Sequence, residues 1–163
     1  MKKFTLLFLF SLLFGCTAFA QEKVTIKGGT IVSLESVKEI RASKSHVGQI
    51  VDFKVLRDVK VDGKVAIPAG TIAKGSVYEA KRSTAFGTKG RLGIKIKYLN
   101  LPNGDVLNFT SSEVYITGKN RTAVSVVVFL FTLLPFPCGS KAVMPEGYEC
   151  EATVANNTTV VIE

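Results

Sequence analysis

Residues 91–98 read Arg-Leu-Gly-Ile-Lys-Ile-Lys-Tyr, and this alternation limits the fold more than any other feature of the chain. A helix would scatter Leu92, Ile94, Ile96 and Tyr98 around its circumference. A strand places all four on one face, because successive side chains of a strand point to opposite sides. The pattern recurs. Val51, Phe53 and Val55 alternate with Asp52 and Lys54, and Val59 and Val61 alternate with Asp58 and Lys60. Turn residues separate the runs. Asp62-Gly63 predicts a type I′ hairpin turn into Val65 and Ile67, and Pro102-Asn103-Gly104 predicts a turn into Val106, Leu107 and Phe109. Strands with one apolar and one polar face predict an antiparallel all-β domain, buried on one side and wet on the other.

An internal echo points to closure of that sheet. Lys64 to Thr71 (Lys-Val-Ala-Ile-Pro-Ala-Gly-Thr) leads into a run ending near Val77-Tyr78, and Lys141 to Tyr148 (Lys-Ala-Val-Met-Pro-Glu-Gly-Tyr) leads into one ending near Val154. A weaker copy lies at Ile26-Lys27-Gly28-Gly29-Thr30, before Ile31 and Val32. Each reads as strand, turn and strand, with glycine supplying the positive φ near the end of the turn. The predicted fold is a single antiparallel β-barrel, or a barrel-like sandwich, with repeated hairpins and one short apolar excursion.

The start of the chain has a different character. Lys2 and Lys3 precede an apolar run from Phe4 to Phe14, and Ala18-Phe19-Ala20 supplies a small-x-small cleavage pattern. These are the parts of a bacterial secretion signal, too short for a stable membrane anchor. Cleavage after Ala20 makes Gln21 the new N-terminus. Leu13-Phe14-Gly15-Cys16 offers a rival lipobox, in which Cys16 is lipidated. Phe14 is bulky for that motif, so simple cleavage is the preferred reading. Removing residues 1–20 from the 163 leaves 143, enough for one domain with a real core, residues 21–163. Losing Lys2 and Lys3 takes the formal charge from +8 to +6, a basic balance that suits anionic partners without choosing among them. Cys138 and Cys150 then remain. In an oxidising compartment they form either a disulfide, worth about 3 kcal/mol for a loop of roughly a dozen residues, or two free buried thiols.

Residues 123–137 carry no charge and lie between Lys119 and Arg121 on one side and Lys141 on the other. The run has Val126, Val127 and Val128, then Phe129, Leu130 and Phe131, then Leu133, Leu134 and Phe136. Pro135 interrupts it before the about 20 residues that a membrane-spanning helix needs. Three readings stay open: a buried strand favoured by the valines, a protrusion that touches lipid or another subunit, and a spanning helix.

No catalytic or metal constellation is legible, and neither enzyme activity nor a cofactor is expected. His46 is the single histidine, in a polar loop without a thiol or ligand neighbour at useful spacing. Gly87-Thr88-Lys89-Gly90 lacks the spacing and the following helix of a phosphate loop. Arg91, Lys95 and Lys97 share a strand face by i, i+2 spacing. With Lys89, and with Lys81 and Arg82 on the facing strand end, they are candidates for a polyanion-binding face. The same arrangement also serves a solvated face that discourages edge pairing.

The order of turns resembles the C-terminal β-barrel of the TrbI-like scaffold subunit of conjugation and type IV secretion channels. The matching stretch starts at Gly29-Thr30, passes the loop Ser43 to Gly48 into Val51-Asp52-Phe53-Lys54-Val55, and continues through Asp58-Val59 and Asp62-Gly63. It goes on with Ile67-Pro68-Ala69-Gly70-Thr71, Gly75, Arg91-Leu92 and Pro102-Asn103-Gly104-Asp105, and closes with Met144-Pro145-Glu146-Gly147. In that family an apolar excursion between the last parts of the barrel reaches the outer membrane, and residues 123–137 hold the equivalent place. The family's cytoplasmic tail, inner-membrane helix and Pro-rich linker have no counterpart here. The resemblance therefore implies a small stand-alone relative of the barrel in the periplasm or outer membrane of a Gram-negative cell. Its expected partners are envelope proteins or further copies of itself, with outer-membrane contact and without nucleic acid.

Overall fold

The structure, a computed structural model, describes residues 22–84, 88–110, 112–118 and 139–162. Within them the chain forms strands and no helix. In order these are β1 (Glu22–Ile26), β2 (Ile31–Ser36), β3 (Ile40–Arg41), β4 (Ile50–Val55), β5 (Val59–Val61), β6 (Lys64–Ile67) and β7 (Ile72–Lys81). There follow β8 (Arg91–Asn100), β9 (Val106–Thr110), β10 (Glu113–Thr117), β11 (Val143–Met144), β12 (Glu149–Val154) and β13 (Thr158–Ile162). The principal sheet runs β10-β8-β7-β4-β2-β12-β9, and β9 also pairs with β8. That last pairing closes a six-stranded antiparallel barrel and leaves β10 as an extra strand outside it. Closure works because β8 divides one edge between two partners. Residues 91–95 pair with β10, and residues 98–100 pair with β9.

The predicted alternation fills the barrel. Leu92, Ile94 and Ile96 of β8 are fully buried, as are Val32 and Leu34 of β2 and Phe53 of β4. Each such side chain stabilises the fold by about 1.5–3 kcal/mol through the apolar surface it removes from water. Arg91, Lys95 and Lys97 point outward. Asp62 and Gly63 both take positive φ (52° and 80°), the geometry of the predicted type I′ turn between β5 and β6.

The echoed turns do a job that spacing does not reveal. Their arms do not pair with each other. β6 pairs with β5 while β7 pairs with β4 and β8; β11 pairs with β3 while β12 pairs with β2 and β9; β1 pairs with β13 while β2 pairs with β12 and β4. The repeated unit is thus a corner between two sheets rather than a hairpin. At each corner a glycine in the left-handed region and the residue after it exchange two backbone hydrogen bonds with the neighbouring stave. Gly29 donates to Val154 while Val154 donates to Thr30, and Gly70 donates to Val55 while Val55 donates to Thr71. Gly147 donates to Ser36 while Ser36 donates to Tyr148. The polar loop before β4 ends the same way, with Gly48 donating to Val77 and Val77 to Gln49. Four staves therefore begin with one local device, whose glycine avoids the steric cost an ordinary residue meets at positive φ. Ser36 strengthens its own corner. Its buried hydroxyl donates to Pro145 O at 2.7 Å and accepts from the Tyr148 N–H at 3.2 Å.

Candidate functional site

Ten residues of β8 cross the barrel from Arg91 to Asn100, about 30 Å at the usual strand rise, and the two ends of this strand differ in chemistry. Beyond its C-terminal end, Leu101 and Pro102 meet Val65, Ala66, Pro68 and Val161 around an apolar groove of about 300 Å³. At its N-terminal end the connection from β7 gathers cations. Lys81 and Arg91 are cross-strand partners. With Arg82, Lys89, Thr84 and Thr88 they line a concavity of about 400 Å³.

One carboxylate reaches this cluster. Glu79 lies 3.7 Å from both Lys81 Nζ and Arg91 Nη1 and accepts a 3.0 Å hydrogen bond from the Tyr115 hydroxyl. Displaced solvent, and then the bond to Glu79, hold the Tyr115 phenol above its usual range. Among the described residues neither Arg82 nor Lys89 has a carboxylate partner. Lys95 belongs to a different environment, facing Glu113 across the β8–β10 pair at 3.6 Å. Lys97 lies further along the strand and is exposed. The six cations singled out by spacing therefore divide into a terminal cluster of Lys81, Arg82, Lys89 and Arg91, an ion-paired Lys95 and a separate Lys97.

The same end of the barrel holds both ends of the stretch 119–138. Gly118 donates to Gly90 O at 3.0 Å, Gly90 donates to Ser140 O at 3.1 Å, and Gly139 donates to Thr84 O at 3.4 Å. The packing is tight enough to require glycine. A Cβ at Gly90 would stand 2.8 Å from Ala142 N, and one at Gly118 would run into the Ser140 carbonyl. Thr84, Thr88, Gly90, Gly118 and Gly139 were not distinguishable by pattern as members of one site, because three separate stretches of chain supply them. Residues 123–137, Cys138 and the leader 1–20, with Cys16, Ala18 and Ala20, lie outside the described residues, as does Gln21.

The remaining candidates are scattered. His46 is exposed, and its backbone N–H reaches the Gln49 side chain at 3.3 Å. Among the described residues no three of His, Cys, Asp and Glu are grouped to hold a metal ion. Among the described residues Cys150 of β12 has no disulfide partner; it packs against the core, and burial pushes its thiol pKa up to about 11. A Cys138→Ser variant is therefore expected to react with iodoacetamide at pH 8 on the order of 100-fold more slowly than an exposed thiol, since the thiolate fraction falls tenfold per unit of pKa. A rate equal to that of free cysteine would contradict the burial.

Among solved structures, ComB10 of the Com type IV secretion system of Helicobacter pylori is similar over 84% of this chain and 90% of its own, at 14% sequence identity and a TM-score of 0.41. No family model matches the chain, and no curated protein does. At that score the likeness is one of coarse outline, and the barrel rests on its own strand pairings.

Proposed function

We propose that the protein is a non-enzymatic module of the bacterial cell envelope, exported by residues 1–20, whose barrel holds residues 123–137 out toward the outer membrane or a second copy. One observation carries this reading. The six-stranded barrel closes without residues 119–138, and the two ends of that stretch meet at Gly90 rather than at separate points of the sheet. An uncharged run of this length, anchored at one point beside a closed core, suits an interaction surface better than a stave.

Replacing Val127 and Phe129 together with Asp tests it. The variant is expected to keep its β-sheet circular dichroism and its unfolding midpoint, and to leave the membrane fraction or lose its oligomer. Collapse of the fold would instead assign the run to the core. N-terminal sequencing of the fractionated protein, with palmitate labelling of a Cys16→Ala variant beside it, separates a chain starting at Gln21 from one anchored at Cys16.

A further inference from the structure

The charges of this chain are segregated in a way that net charge conceals. All thirteen carboxylates lie outside residues 80–104 and 114–145. Those two stretches hold Lys81, Arg82, Lys89, Arg91, Lys95 and Lys97, then Lys119, Arg121 and Lys141. The fold brings the two stretches together, because Gly90 of the first is hydrogen-bonded to Gly118 and Ser140 of the second. A predominantly cationic surface, which Glu79 reaches from β7, thus adjoins the point where the stretch 119–138 leaves and rejoins the barrel.

From this we infer that the concavity lined by Lys81, Arg82, Lys89 and Arg91 binds the phosphate-bearing headgroups of an anionic lipid surface. The inference deepens the reading of residues 123–137 as a membrane-facing run and rests on it for orientation. Three features select this occupant. The concavity, about 400 Å³ and lined by two lysines and two arginines together with Thr84 and Thr88, carries the cationic donors that a phosphate group calls for. Arg82 and Lys89 have no carboxylate partner among the described residues, so their charge is available to a ligand. The flanks of the apolar run, Lys119, Arg121 and Lys141, are cationic as well. A basic collar of Lys81, Arg82, Lys89 and Arg91 beside the point where an apolar segment joins the barrel lets one surface satisfy both headgroups and acyl chains. A polynucleotide would call for a continuous cationic track, and here Glu79 enters the cluster while Glu113 neutralises Lys95.

Co-sedimentation of the full mature chain with phosphatidylcholine vesicles, with and without phosphatidylglycerol, tests the inference. The parent protein is expected to bind the anionic vesicles more tightly, by a margin that salt reduces. Arg82→Ala combined with Lys89→Ala is expected to weaken that binding about thirtyfold. Lys23→Ala combined with Lys60→Ala removes the same charge from strands β1 and β5 and is expected to bind as the parent does. Equal losses in the two double variants would mean that binding follows net charge, and would overturn the site. Unchanged binding of the Arg82, Lys89 variant would overturn it too. So would equally tight uptake of inorganic phosphate in a titration, or displacement of vesicles by a duplex oligonucleotide. In a Phe129→Ser, Leu130→Ser variant the phosphatidylglycerol-dependent increment is expected to persist while binding to neutral vesicles falls. Failure of the apolar run to reach lipid is thereby read separately from failure of the collar.

Discussion

Replacing Phe53 with alanine is expected to lower the unfolding free energy by about 3–5 kcal/mol, a large part of the roughly 5–15 kcal/mol available to a domain of this size. Phe53 is fully buried on β4, with Ala73 of β7 as its cross-strand partner and Gly75 two residues further along β7. The glycine is small for a reason. A Cβ at Gly75 would stand 3.0 Å from Phe53 Cε2 and 3.2 Å from Ile94 Cγ2, so the ring occupies space that a larger residue on β7 would claim. Truncation leaves a void that closed, hydrogen-bonded staves cannot collapse to fill. Urea unfolding should show a lower midpoint with an unchanged slope. The packing also predicts a coupling. Gly75→Ala is expected to destabilise the parent and to cost clearly less in a Phe53→Leu background. Additive effects would show that the ring and the glycine do not compete for the same volume.

Gly90→Val is expected to have the second largest effect, and its consequences should be functional as well as energetic. The added side chain would meet Ala142 N at 2.8 Å, with Lys81 O and Ser83 N at 3.3 Å, all of them backbone atoms that cannot swing aside. Overpacking of this kind costs about 1–3 kcal/mol. The barrel should survive, because its staves do not pass through Gly90, yet the bonds from Gly118 and to Ser140 would be lost. The expected result is a folded protein with faster proteolysis at residues 82–90 and 139–142 and weaker binding to anionic vesicles. Normal vesicle binding, with these segments still protected, would show that Gly90 does not organise the site.

What could be read in advance follows from the range over which each feature is determined. The faces of β4 and of β8 as far as Lys97 were legible because alternation is a property of successive residues: Leu92, Ile94 and Ile96 are buried while Arg91, Lys95 and Lys97 face out. At a register shift against β7, by contrast, the expected Tyr98 is only half-buried and Leu99 is buried instead. Asp62-Gly63 was legible because a type I′ turn is decided by the φ preferences of two residues. The Pro/Gly echoes were legible as turns but not as corners. Whether a turn folds a strand back on itself or passes it to another sheet depends on partners far away, such as Val154 for Gly29. The cationic face was half legible. Strand spacing placed Lys95 outward, but the neutralising Glu113 lies on β10, whose pairing with β8 no local pattern specifies.

By itself the sequence determined the strand class, the two faces of β4 and of most of β8, the Asp62-Gly63 turn and the absence of carboxylates from two long stretches, since all of these are written in neighbouring residues. Only the tertiary structure decided that the sheet closes through a shared edge of β8, that four glycines clamp staves together, and that the two carboxylate-free stretches meet at Gly90. Those features depend on contacts between residues tens of positions apart. Chain entropy opposes such contacts, and they form only when the buried core as a whole compensates for the ordering.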